Sequence, residues 1–193
     1  MTGKSDLTDG EMRYDLDGRP HTLDRYGGME LGYDDNGNLV ETPPLRLAWD
    51  YEDQLVGAEM PDGTKYVNTY DAGGERVIKE VKKLKQVTTS DYVDPVLELS
   101  ADREVLFVFD DKTRISRIVE GKSVAMHHTD HLGSVRAMTD AGGASVDSVV
   151  NYKPFGEPFK EELRSVPGKR FMDKEMDAET GLYYFGTRFY SSQ

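Results

Sequence analysis

Tyr70-Asp71-Ala72-Gly73-Gly74-Glu75-Arg76 decides the fold, because it is one member of a series. Tyr33-Asp34-Asp35-Asn36-Gly37-Asn38-Leu39 has the same form, and so does Tyr14-Asp15-Leu16-Asp17-Gly18-Arg19. A worn copy, Trp49-Asp50-Tyr51-Glu52-Asp53-Gln54-Leu55, fills the gap before the last one. The steps between copies are irregular and about 20 residues long, which points to an extended repeat architecture, since one such unit cannot bury its own apolar face. Each copy reads as strand, tight turn, strand. The aromatic closes one strand, the Asp caps the turn through its side chain, and the Gly supplies the positive φ that hairpin loops require.

The same logic continues outward. Gly57 to Tyr70 carries Pro61-Asp62-Gly63 as its turn, and Tyr66, Asn68 and Tyr70 then share one face of a strand. Residues 78–87 mix apolar and basic side chains. Their spacing also fits a short helix, but Val87, Thr88 and Thr89 favour a strand pair, with the lysines as a solvated face. Val105-Leu106-Phe107-Val108-Phe109 reads as the most buried strand, turning at Asp110 to Thr113 into Arg114–Val119. Glu120-Gly121-Lys122 and Asp140 to Gly143 are further turns. Pro154, Gly156, Pro158 and Pro167-Gly168 interrupt the next stretch, and 172–180 is the one place where a short helical segment is expected. The class is all-β.

Composition narrows the chemistry. The formal net charge is −12, from 24 basic and 36 acidic residues, and no basic stripe offsets it, so a nucleic-acid partner is not expected. Cysteine is absent, which removes disulfides, thiolate catalysis and Cys-based zinc sites. The N-terminal residues lack the apolar core of a secretory signal, residues 1–11 read as a disordered lead, and no apolar run is long enough to span a bilayer.

The second half adds three ordered blocks: 128–140 (beginning His128-Thr129-Asp130-His131-Leu132-Gly133), Tyr152-Lys153-Pro154-Phe155-Gly156-Glu157, and 177–190, which contains Gly181-Leu182-Tyr183-Tyr184 and ends Arg188-Phe189-Tyr190. Together with the repeats they closely resemble the YD repeats and associated core region of rearrangement-hotspot (Rhs) proteins, over residues 12 to 190. That resemblance implies a YD-repeat sheet at 12–126 and a core region at 127–193. It implies a β-ribbon wound into a shell that encloses a C-terminal toxin or effector, with the core region closing one end. Related repeats occur in toxin-complex components and in adhesive teneurins.

The structural motif residues on this reading are Tyr14, Asp15, Gly18, Tyr33, Asp34, Gly37, Trp49, Asp50, Tyr70, Asp71 and Gly74 in the repeats. In the core region they are His128, Asp130, His131, Gly133, Tyr152, Phe155, Gly156, Gly181, Tyr183, Tyr184, Arg188 and Tyr190. The family's self-cleaving continuation lies beyond the final Phe189-Tyr190-Ser191-Ser192-Gln193, so neither it nor an effector is expected in this chain. It reads as the end-piece of a shell, with delivery to the bacterial surface or exterior implied by family. Interbacterial competition is the context the family suggests.

Three function classes follow. The first is a non-enzymatic enclosure module without cofactors, whose partners are other YD-repeat strands, its own copies through open strand edges, or an enclosed effector. The second is an adhesin or carbohydrate-binding module using exposed aromatics. The third is a metal-dependent or self-processing enzyme centred on His127, His128, Asp130 and His131. Imidazole with carboxylate suits zinc or nickel, but on a strand His127 and His131 share one face while His128 and Asp130 share the other. Ser134 has no recognisable triad, and Glu157, Glu161 and Glu162 read as a charged loop. The cluster Tyr183, Tyr184, Phe185, Phe189 and Tyr190 reads as packing core.

Overall fold

In the computed structural model the described residues are 12–16, 19–101, 103–120, 123–163 and 168–192. The expected lead at 1–11, the motif residue Gly18 and the turn residues Gly121 and Lys122 lie outside them, as does the side chain of Asp15. Strand makes up about 60% of the structure, and the pairs are antiparallel, as the repeats require. Two compact units divide it: residues up to Val67 with Lys82–Gln86, and Asn68–Val81 with Val87 onward.

The first unit holds a three-stranded sheet, β1 (Met12–Leu16), β2 (Arg19–Tyr26) and β3 (Met29–Glu30). It also holds β4 (Gly32–Tyr33), β5 (Leu39–Thr42), β6 (Leu45–Trp49), β7 (Leu55–Glu59) and the start of β8 (Lys65–Tyr70), paired in sequence order. Leu47, Leu55, Ala58 and Tyr66 are its buried apolar residues.

The second unit continues from β8 through β9 (Arg76–Lys83), β10 (Gln86–Tyr92), β11 (Leu97–Ser100), β12 (Arg103–Asp110) and β13 (Thr113–Val119). Then come β14 (Ser123–Thr129), β15 (Val135–Asp140), β16 (Val146–Tyr152) and β17 (Pro158–Leu163), each paired with its neighbour in sequence. A separate small sheet is built from β18 (Glu175–Asp177), β19 (Leu182–Tyr184) and β20 (Phe189–Ser191). Strict sequence order is what short hairpin turns produce, because each strand finds its partner before the next is reached. Val105, Phe107, Val135, Met138, Val150 and Tyr183 are the buried apolar residues here.

The turns explain the repeat. In the three copies whose turns are described, the Asp carboxylate accepts backbone N–H groups across the loop: Asp34 Oδ1 from Asn38 (2.8 Å), Asp50 Oδ1 from Glu52 and Gln54 (2.9 and 3.0 Å), Asp71 Oδ1 from Gly73 and Glu75 (2.8 and 3.0 Å). The residue three places on takes positive φ, as Gly37 at 89° and Gly74 at 80°. In the worn copy Asp53 stands there with φ 60°, and its Oδ1 accepts from Asn36 and Asn38 (2.9 and 2.7 Å). The aromatics reach back: Tyr33 donates to the Leu23 carbonyl and Trp49 Nε1 to that of Leu39, both at 2.7 Å.

Four expectations are corrected. Residues 172–180 are not helical beyond one 3-10 turn, Phe171–Asp173, because Met172 and Asp173 sit at φ 51° and 56° and β18 then extends to pair with β19. The run 105–109, read as the most buried strand, is buried on one face alone: Val105 and Phe107 are inside, and Leu106 faces out. Glu161 and Glu162 lie in strand β17, not in a loop. Lys79 does not share the solvated face of Lys82, Lys83 and Lys85, and its side chain is only 13% exposed.

Candidate functional site

Positions 127–131 do not form a centre. Asp130 caps its own turn, accepting from Leu132 and Ser134 N–H at 2.9 Å each, as the repeat aspartates do. His128 Nε2 lies 3.0 Å from Thr139 Oγ1, His131 is exposed in the turn, and the buried His127 ring has no hydrogen-bond partner at either nitrogen. Burial, with the Arg117 and Arg114 cations beside it, pushes the His127 imidazole down to about 4. Among the described residues no three His, Asp or Glu side chains are gathered as a metal would need. Ser134 is buried and accepts the Met172 N–H (3.1 Å), a structural bond. Glu157 pairs with Lys153 and Glu161 with Arg170.

The chemistry is concentrated where the C-terminal segment meets β9 and β10. Arg76 opens β9 with its side chain 1% exposed. Its Nη1 donates to Asp177 Oδ2 (2.8 Å) and its Nη2 to Glu175 Oε2 (2.9 Å), both from β18. Lys79, three residues further on, donates to Glu175 Oε1 (2.7 Å) and Asp177 Oδ1 (3.1 Å). Strand alternation alone would set Arg76 and Lys79 on opposite faces; the side chains nonetheless converge on the same two carboxylates. Tyr92 donates to Glu175 Oε1 (2.8 Å), and the Tyr184 hydroxyl accepts the Arg76 backbone N–H (2.8 Å). The guanidinium carbon lies 5.0 Å from the Tyr92 ring centre and 4.4 Å from that of Tyr184.

The electrostatics follow from crowding. Burial alone would raise the Glu175 carboxyl, but Lys79, Lys169 and Arg76 outweigh it and hold it far below the usual carboxylate range. Burial likewise pulls the Lys79 ammonium down, and Glu175 and Asp177 overcome that and hold it above its ordinary value. Burial, then Glu175, raises the Tyr92 phenol. Buried ions are tolerable only when so paired, and removing one partner of such a set costs roughly 3–5 kcal/mol. Beside the network lies a cleft of about 750 Å³, to which Arg114, Phe107, Phe109 and Phe185 also contribute.

A second seam closes the segment onto the far strands. Tyr183, fully buried, donates to the Gly156 carbonyl (3.2 Å), and burial pushes its phenol up to about 12. Tyr190 donates to Phe155 O (2.9 Å), and the Phe171 ring packs against Tyr152 and Tyr183 at 5.7 and 6.1 Å. Gly156 is required twice over: its φ is +86°, and a Cβ there would lie 2.5 Å from the Phe171 ring. Gly181 takes φ 71° in the β18–β19 turn, and the Arg188 carbonyl accepts the Phe185 N–H.

No family model matches the chain. Among solved structures it is similar to the crystal structure of TcdB2-TccC3, with a TM-score of 0.76 and 18% identity over 95% of this chain and 10% of that one. It is also similar to the Tc holotoxin pore of Photorhabdus luminescens, with a TM-score of 0.70 and 20% identity over 92% of this chain and 9% of that one. Two curated relatives are 29% identical over 87% of this chain. They are the tRNA3(Ser)-specific nuclease WapA of Bacillus spizizenii and the tRNA nuclease WapA of Bacillus subtilis strain 168. Its fold is that of the Rhs and Tc shell proteins. The chain spans 8% of the length of those curated relatives.

The buried ion network joins Arg76, just after a repeat turn, to Glu175 and Asp177 of β18. Asp177 heads the last of the three sequence blocks and Arg76 ends a repeat, and nothing local to either assigns it a role. Lys79, Tyr92 and Glu175 carried no motif signal. A basic residue directly after a repeat turn, at the first position of a strand, was the available hint.

Proposed function

We propose that this chain is a non-enzymatic enclosure module: a YD-repeat wall at 12–126 whose core region, 127–193, folds back to seal it. The observation that carries the proposal is the buried network in which Glu175 and Asp177 are bonded to Arg76 and Lys79. Charged groups of this kind add orientation and register more than raw stability, which is what a closing piece needs. The shell-like fold supports enclosure, and the relatives of that fold supply protein assemblies as the setting. Partners on this reading are other YD-repeat strands and, in a longer polypeptide, an enclosed effector.

The names of the curated relatives favour a second reading, cleavage of tRNA. Charge opposes it for this segment. A net −12 repels a polyphosphate, and Arg76 and Lys79 are buried and already bonded to carboxylates. Incubation of the purified chain with total tRNA, read on a denaturing gel, separates the two. Enclosure predicts tRNA intact beyond the buffer control; cleavage that follows the protein through purification would overturn it. A positive arm replaces the matching segment of the Bacillus subtilis relative with this chain. Limited proteolysis is expected to cut the chimera no faster than the unaltered relative, and Arg76→Met is expected to speed the cutting.

A further inference from the structure

Glu175 is offered more donors than it bonds closely. Its Oε1 accepts from Lys79 (2.7 Å) and Tyr92 (2.8 Å), and its Oε2 from Arg76 (2.9 Å). Lys169, set beside Glu175 by an isolated antiparallel bridge, reaches Oε2 only at 3.5 Å. That is longer than a charge-assisted hydrogen bond, about 2.7–2.9 Å. The Lys169 Nζ also lies 5.7 Å from the centre of the Tyr92 ring. Lys169 is the surplus cation of the network.

The surroundings favour its neutral amine. Burial pulls the Lys169 ammonium down, the Arg114 and Arg76 cations add to that, and the Glu175 and Glu98 carboxylates do not make up the difference. Burial pulls on Lys79 as well, but its two short bonds to Glu175 and Asp177 hold that ammonium above its ordinary value. A lysine desolvated beside other cations is a nucleophile at neutral pH. Access separates the two residues again. The Lys169 side chain is 20% exposed and lines the cleft of about 750 Å³, whereas Lys79 does not reach the cleft wall. Phe107, Phe109 and Phe185 give that wall an apolar surface, and the volume suits a small organic molecule.

We propose that the Lys169 ε-amine captures a small aldehyde with an aromatic body in this cleft, as an imine. The amine lone pair attacks the carbonyl carbon and a C–N bond forms. The carbonyl oxygen then leaves as water, carrying the two amine protons, and no oxidant or reductant is consumed. The capture holds whether or not the wall encloses a cargo, so its failure leaves the enclosure reading standing.

The full chain is treated with benzaldehyde and cyanoborohydride, which reduces the imine to a stable secondary amine, and the benzyl groups are located by peptide mass mapping. Lys169 is expected to be labelled ahead of every other lysine, Lys79 and Lys174 included. Lowering the pH from 9 to 7 is expected to slow its labelling less than that of the exposed Lys82, Lys83 and Lys85. Lys169→Arg is expected to lose the early label, and Arg114→Met, which removes a neighbouring cation, to delay it. In the urea-unfolded chain the preference is expected to vanish. Labelling spread evenly over the lysines of the folded chain, or a preference for Lys169 that survives in urea, would overturn the proposal.

Discussion

At the scale of single residues, the repeat is a hydrogen-bonding device. Asp71 serves two loop N–H groups through one oxygen, and its replacement by Ala is expected to cost about 1 kcal/mol, since the loop keeps its backbone bonds. Urea unfolding reads this; an unchanged midpoint would remove the aspartate from the account of the turn. Such turns were legible because every partner lies within four residues. The role of Arg76 is illegible in the sequence for the opposite reason: its carboxylates are about a hundred residues away, and local spacing carries no trace of them. His127 to His131 misled in the other direction. Residues adjacent in sequence drew attention as ligands, but Asp130 belongs to the same turn chemistry as Asp34, Asp50 and Asp71.

At the scale of elements, the C-terminal segment is held at two ends, by ions near β9 and by aromatics near the β16–β17 turn. Gly156→Ala tests the aromatic end. It places a methyl against the Phe171 ring in a left-handed backbone, and a loss of roughly 2–4 kcal/mol is expected from strain and overpacking together. A loss within experimental error of zero in urea unfolding would mean the ring moves aside freely. Hairpin order from β4 to β17 could be read from sequence, because alternation and turn residues specify it. The segment's shape could not: Met172 and Asp173 adopt positive φ under tertiary control, where the local pattern suggested a helix.

For the whole molecule, acid is the informative perturbation. The His127 imidazole ordinarily titrates near 6.5 and is held at about 4 in the folded chain, so the unfolded state binds the proton first as pH falls. Stability is therefore complete above pH 6.5 and declines by roughly 3 kcal/mol as pH drops from there towards 4. Glu175, whose carboxyl is depressed, contributes stability that is present above about pH 4.5 and is lost below it, extending the decline. Unfolding free energies at pH 7 and pH 5 should differ in the native chain and converge in His127→Phe. An equal difference in that variant would place the acid sensitivity elsewhere.

The most direct measurement of the central claim is a double-mutant cycle on Arg76→Met and Asp177→Leu, read by urea unfolding at neutral pH. If the buried ions lock the segment onto the strands, each single variant loses roughly 3–5 kcal/mol and the pair is coupled by about 2 kcal/mol or more. Losses that simply add, to within about 0.5 kcal/mol, would mean the two residues stabilise the chain independently, and the seal described here would not exist.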